Sequence, residues 1–143
     1  MKIVKKNVYY CEFCKKKGLN KGIIANHELH CTGNINRKCR MCEKIGIQQK
    51  NLSLLVEKYK NTYTIENFMS EGCNEIKVIW KASPVTIDDI LDDVGDCPMC
   101  ALSVLRLSGM NHYYFGEQLK FDFKTYKDGR FSELNAKSED NFY

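Results

Sequence analysis

The spacing of the cysteines and histidines constrains this chain more than any other feature. Two soft donor side chains lie within one tight turn of each other at four places: Cys11 and Cys14, His27 and Cys31, Cys39 and Cys42, Cys97 and Cys100. Thiolate and imidazole donors at such spacings are typical ligands of a tetrahedral zinc ion. Eight donors suffice for two closed structural sites, so the sequence predicts two zinc ions as cofactors.

The eight cysteines of the chain could instead form disulfides in a secreted protein, but the sequence favours metal-bound thiolates. Residues 1–7 lack the apolar stretch of a secretory signal. The sequence contains no run of about 18 apolar residues, so no transmembrane helix is predicted. Since thiols remain reduced in the cytosol, we expect a cytoplasmic protein with no membrane partner.

The first two donor pairs predict a local metal module. The segment from Cys11 to Cys31 reads C-x2-C-x12-H-x3-C, and Ile24 shares one helical face with His27 and the last cysteine. So short a segment buries too little apolar surface to fold alone, so metal binding must stabilise it. His30 competes with Cys31 as the fourth ligand, but H-x2-H is shorter than the usual spacer, so we expect Cys31.

This ligand pattern resembles the two-cysteine, two-histidine zinc finger, with cysteine replacing the last histidine. Tyr9 and Ile24 stand where that family places an aromatic and an aliphatic core residue, whereas Gly18 replaces its usual second aromatic. The resemblance covers residues 9–31 and implies a C2HC finger. The positions that would face bases if the family's docking applied are Asn20, Ile23 and Asn26.

The third and fourth donor pairs predict a second site. They lie 54 residues apart, and Pro98 suits the first turn of a helix that Gly109 would close. Distant ligand pairs, the later one opening a helix, predict a treble-clef-like or zinc-ribbon-like site. Cys73 stands outside all four pairs; we expect it to pack in or near the core, although it could replace one ligand.

Periodicity predicts a mostly helical insertion between these pairs. Asn51 is a good N-cap for a helix over residues 52–60, alternation predicts a strand over residues 76–82, and Pro84 would begin a second helix. Five carboxylates cluster on that second helix: Asp88, Asp89, Asp92, Asp93 and Asp96. We interpret them as a solvated face, with a docking patch for a basic partner as the alternative.

The carboxy-terminal part is rich in aromatic residues. His112 lies among them, and we expect this cluster to fill the core rather than to stack on nucleic-acid bases. Beyond it, Asp128 and Gly129 predict either a hairpin turn or a broken helix.

These elements predict a small α+β zinc-binding protein with three parts. Residues 1–35 would form the C2HC zinc finger. Residues 36–135 would form the second zinc module with its mostly helical insertion, and residues 136–143 a flexible tail.

Charge is distributed unevenly along the chain. Residues 1–50 carry 12 Lys and Arg against 3 Asp and Glu, whereas residues 51–143 carry 10 against 15. A basic amino-terminal third predicts contact with the phosphates of DNA or RNA. The candidate contact residues are Lys15, Lys16, Lys17, Lys21, Arg37 and Arg40. The alternative is that these side chains only solvate an exposed surface.

Catalysis is not expected, because both metal sites would be closed and the sequence has no nucleophile–base motif or phosphate loop. The layout of a Y-x-C-x2-C finger, an Arg-flanked C-x2-C and a late C-P-x-C resembles small zinc-binding proteins carried by bacteriophages, which implies an accessory or regulatory role in a host cytoplasm. The alternative is an adaptor or inhibitor, for example against a host defence, with structural zinc and a protein partner at the acidic, aromatic carboxy-terminal part.

Overall fold

The computed structural model describes residues 1–116 and 119–140. Within that range the chain is α+β, with six α-helices and two two-stranded sheets. The strands are β1 (Tyr9–Tyr10), β2 (Lys17–Gly18), β3 (Tyr63–Ser70) and β4 (Cys73–Trp80). The helices are α1 (Lys21–His30), α2 (Arg40–Ile45), α3 (Leu52–Lys60), α4 (Ile87–Asp93), α5 (Pro98–Leu107) and α6 (Phe123–Asp140).

The amino-terminal module is a short hairpin followed by α1. β1 and β2 are antiparallel, with Tyr10 opposite Lys17. The Asn20 side chain begins α1 by accepting a hydrogen bond from the backbone of the third helical residue. Ile24 is the buried residue of this helix, and a Cβ atom at Gly18 would lie 3.1 Å from its Cδ1 atom. A larger side chain at Gly18 would therefore crowd the Ile24 side chain, which already fills that space.

The main core forms where α2, α3, α4 and α5 meet. The predicted helix over 52–60 is confirmed as α3, which is capped by Asn51 and buries Leu52, Val56 and Tyr59. The predicted helix at Pro98 is confirmed as α5. All four cysteines of the second predicted site belong to the core cluster, so this site lies inside the hydrophobic core.

A long antiparallel hairpin, β3–β4, projects from this core. The predicted strand at 76–82 overlaps β4, which ends at Trp80, whereas β3 is not among the predicted strands. At the base, the rings of Tyr63 and Trp80 pack against Phe115 with centroid distances of 4.9 and 6.0 Å.

Cys73 lies at the far end of this hairpin and is exposed. Its predicted place in the core is therefore wrong, because hairpin pairing carries it away from the packed elements. His112 is also exposed, stacked on Tyr114.

The carboxy-terminal segment forms one helix, α6, which continues through Gly129 to Asp140. The predicted hairpin or broken helix is therefore wrong. Asp122 begins α6 by accepting a hydrogen bond from the backbone N–H of Thr125 at 3.2 Å, and Tyr126 and Phe131 pack against the core. Of the predicted tail, residues 136–140 belong to α6 and residues 141–143 lie outside the described residues.

Two of the five clustered carboxylates have structural roles. Asp89 forms a capping box with Thr86 at the start of α4, and the Asp93 carboxylate accepts hydrogen bonds from Lys58, at 2.7 Å, and from the Tyr59 hydroxyl. Burial alone would raise the pKa of Asp93, but the hydrogen bonds from Lys58 and Tyr59 hold that pKa below its ordinary value. The acidic face is therefore partly used to join α3 to α4.

Among the helices of the described residues, none combines the length and apolar character needed to cross a membrane.

Candidate metal centres

The first metal centre joins the turn of the β1–β2 hairpin to the end of α1. One ligand atom from each of Cys11, Cys14, His27 and Cys31 lies within 4.8 Å of the others. The Sγ atom of Cys14 is 3.1 Å from Nε2 of His27. The turn is held by the backbone N–H of Cys11, which donates to the carbonyl of Lys16 at 2.8 Å. We call this group the finger centre.

The structure selects Cys31 rather than His30 as the fourth donor of the finger centre. His30 points away from the group, and its Nδ1 atom lies 2.8 Å from the carbonyl oxygen of Lys38. Cys31 is buried directly after the last turn of α1. Cys31, and not His30, therefore belongs to the group of four donors, as the length of the spacer predicts.

The second metal centre lies between the first turns of α2 and α5. Its members, which we call the four-cysteine centre, are Cys39, Cys42, Cys97 and Cys100. Cys39 and Cys97 are the N-cap residues of α2 and α5. All four side chains are at most 3% exposed, so the centre is closed to solvent.

The distances within the four-cysteine centre match zinc chemistry. The Sγ atoms of Cys39 and Cys97 are 3.5 Å apart, as are those of Cys42 and Cys100. Two sulfur atoms bound to one tetrahedral zinc ion at about 2.3 Å are about 3.8 Å apart. Each centre offers four soft donors at such spacing. The two centres can each coordinate one zinc ion, which is consistent with two zinc ions in the protein.

Crowding makes several of these thiols hard to ionise without a cation. Burial raises the pKa of Cys31 to about 11. Burial, together with the charge of Cys97, raises the pKa of Cys42 to about 12. In the exposed turn, hydrogen bonds from the backbone of Lys16 and from His27 outweigh burial and lower the pKa of Cys14 to about 7. Zinc binding would therefore release protons, because the metal binds thiolates.

The predicted nucleic-acid contacts do not all lie on the surface. The exposed members of the set are Lys15, Lys16, Lys17, Lys21 and Arg40. Arg37 is only 3% exposed. Its Nε atom donates a hydrogen bond to the carbonyl oxygen of His30 at 3.0 Å, and one terminal nitrogen lies 4.0 Å from the Sγ atom of Cys100.

The prediction that Arg37 contacts phosphate is corrected by this burial. Its guanidinium group turns inward to the carbonyl oxygen of His30, at the end of α1 where helix carbonyls lack partners, and to the Sγ atom of Cys100. Its place beside a C-x2-C pair is the one sequence signal that could have indicated this role.

The chain has no significant match to a protein-family model, a curated protein or a solved structure. The resemblances to the zinc-finger family and to phage zinc-binding proteins therefore rest on ligand spacing and layout.

Proposed function

We propose that this is a non-catalytic zinc-binding protein that binds nucleic acid through the basic surface of its finger module. The observation that carries the proposal is the exposure of four finger lysines: Lys15, Lys16, Lys17 and Lys21. In the described part of the chain, none of them pairs with a carboxylate. Lysines without ion pairs are free to neutralise phosphates, which releases counterions and gives salt-dependent affinity.

An exposed aromatic ring lies beside these lysines. Tyr10 is opposite Lys17 in the hairpin and is 57% exposed. With Val8 and Leu19 the pair lines an open hollow of about 380 Å³. A base stacked on Tyr10 would bring its phosphate within reach of Lys17, and stacking of this kind tolerates any base.

Direct reading of a base sequence is poorly supported by the positions that the finger family uses. The Asn20 side-chain oxygen is occupied in capping α1, and Ile23 offers only an apolar surface. The geometry therefore favours sequence-tolerant binding. We propose a preference for single strands, because an unpaired base can reach Tyr10 whereas a base in a duplex is stacked on its neighbours.

The proposed role for zinc is purely structural. Four protein donors close each centre and leave no position for a water molecule or substrate. The order of a cysteine pair, the β3–β4 hairpin and a helix opened by a second cysteine pair supports a treble-clef-like assignment of the larger module. A phage accessory or regulatory role is supported by the layout of the cysteines.

Fluorescence anisotropy of the zinc-loaded full chain with labelled single-stranded and duplex DNA and RNA tests this proposal. The triple variant Lys15→Ala, Lys16→Ala, Lys17→Ala should weaken binding to every sequence and reduce the slope of log affinity against log salt by about two to three. The matched control removes three exposed lysines of the other module: Lys60→Ala, Lys81→Ala, Lys124→Ala. The proposal would be refuted if none of the four probes bound at about 50 mM salt. It would also be refuted if the control variant lost as much affinity as the finger variant.

The stacking contact has its own variant. Tyr10→Ala should lower affinity for single strands about tenfold and leave duplex affinity nearly unchanged. Tyr113→Ala is the matched control, since Tyr113 is 90% exposed and lies in the other module. Equal losses for single strands and duplex would contradict stacking on Tyr10 and leave only phosphate contacts.

A role as a protein adaptor is the second candidate, and one face of the β3–β4 hairpin favours it. Ile65, Met69 and Ile76 lie on one face of this hairpin and are exposed. Exposed apolar patches commonly mark protein contacts. A zinc-loaded protein that binds no nucleic acid at low salt would leave this candidate standing.

A further inference from the structure

Arg37 is a buried cation for which the described residues provide no carboxylate partner. An uncompensated charge is unfavourable in a protein interior. Its guanidinium group faces two kinds of acceptor: the carbonyl oxygen of His30 and, at 4.0 Å, the Sγ atom of Cys100. One zinc ion with four thiolates carries a net charge of about −2. The loaded four-cysteine centre therefore supplies the negative charge that Arg37 lacks.

The segment around Arg37 is held to both metal centres. The side-chain amide of Gln49 makes two of the hydrogen bonds that hold it. Its nitrogen donates to the carbonyl oxygen of Arg37 at 2.8 Å, and its oxygen accepts from the backbone N–H of Cys39 at 2.7 Å. The N–H of Lys38 donates to the carbonyl of Leu29, in the last turn of α1, at 2.9 Å. One short segment thus satisfies carbonyls at the end of the finger helix and positions the first ligand of the four-cysteine centre.

A second arginine makes a similar link from α5. The terminal nitrogen of Arg106 donates to the hydroxyl of Thr32 at 2.7 Å. Thr32 directly follows Cys31, a ligand of the finger centre, and α5 carries Cys97 and Cys100 at its start. The end of α1 is therefore fixed from two sides by groups that depend on an ordered four-cysteine centre.

We propose that Arg37 couples the two metal centres, so that zinc bound at either centre raises the affinity of the other. Zinc at the four-cysteine centre holds the guanidinium group in place, and that group holds the end of α1, which carries His27 and leads into Cys31. Coupling of this kind is reciprocal, so the same factor must appear in both directions.

Cobalt(II) titration of the metal-free full chain, in competition with a chelator of known affinity, tests the coupling. The absorption of bound cobalt differs between a four-sulfur centre and a centre of three sulfurs and one nitrogen, so each centre is followed separately. Cys14→Ser disables the finger centre and should lower the affinity of the four-cysteine centre about tenfold. Cys97→Ser should lower the affinity of the finger centre by at least as much, because this variant also unfolds the larger module.

Variants of Arg37 identify the connecting residue. In an Arg37→Met background, Cys14→Ser should change the affinity of the four-cysteine centre by much less than tenfold, because only the Arg106 link then remains. Arg37→Lys keeps the positive charge but cannot reach both acceptors, so it should retain the four-sulfur spectrum and lose the coupling. Lys38→Met is the matched control, because Lys38 directly follows Arg37 and its side chain is exposed; it should keep the tenfold factor.

Three results would overturn the proposal. The first is an affinity of the four-cysteine centre that is equal within twofold in the wild type and in Cys14→Ser. The second is a tenfold factor that persists in both Arg37 backgrounds. The third is loss of that factor in Lys38→Met as well. The first comparison retains Arg37, so it decides the matter even if an Arg37 variant folds poorly.

Discussion

Loss of a single ligand should have very different consequences at the two metal centres. Cys97 is fully buried inside the main core cluster, at the start of α5, whereas Cys14 is exposed in the finger turn. A structural zinc ion contributes about 10–16 kcal/mol of apparent binding free energy, which equals or exceeds the net stability of about 5–15 kcal/mol of a typical domain. Cys97→Ser should therefore abolish cooperative folding of the larger module.

Cys14→Ser should leave that module folded, because the finger packs its own small core around Ile24, outside the main cluster. The lost helical signal should correspond to about the 10 residues of α1.

Circular dichroism and urea unfolding with a small excess of zinc measure both effects. Cys73→Ser is the matched control, since Cys73 is exposed at the hairpin end, and its unfolding midpoint should not move. A cooperative transition in Cys97→Ser with the wild-type midpoint would refute the view that metal organises the core.

Three further changes test other parts of the fold. Ile90→Ala should lower the free energy of unfolding by about 2–5 kcal/mol because it opens a cavity at a fully buried side chain, whereas Ile23→Ala, at a position 61% exposed, should change it by less than about 0.5 kcal/mol in urea titrations. Thr86→Ala removes the capping box of α4 and should cost about 1 kcal/mol in the same assay. Tyr59→Phe removes one of the hydrogen bonds that lower the pKa of Asp93. A carboxyl group with a lowered pKa in the folded state stabilises the fold above its unfolded pKa, and that contribution is lost as pH falls through the folded value. The contribution of Asp93 is lost below about pH 4, the ordinary pKa of an aspartate. In this acidic range the unfolding midpoint of Tyr59→Phe should therefore lie at a higher pH than that of the wild type. An unchanged midpoint would contradict this role.

Local signals identified several elements before any tertiary contact was known. Asn51 and the apolar repeat after it predicted α3, and Pro98 predicted the start of α5, because caps and helical periodicity act within a few residues. The same reasoning missed β3 and misread the segment around Gly129. The strand β3 was missed because a strand is stabilised mainly by the partner it pairs with. The helix α6 continues through Gly129 because Tyr126 and Phe131 pack on the core.

Polar and small residues with two possible environments could not be assigned locally. Cys73 has a side chain that suits a core, yet the hairpin places it in solvent. Arg37 belongs to a basic stretch that reads as a surface, yet its guanidinium group is buried between α1 and the four-cysteine centre. Burial depends on what packs against a residue, and that information is distributed along the whole chain.

The sequence by itself determined the two groups of four candidate metal donors and their division into one local and one long-range centre. Donor type and spacing are properties of short segments, and tetrahedral coordination accepts few alternatives. Only the tertiary structure decided that the four-cysteine centre lies inside the hydrophobic core and that Arg37 connects it to the finger. The physical reason is that a buried cation needs polar partners close by, and here one of them, the Sγ atom of Cys100, lies 63 residues away along the chain.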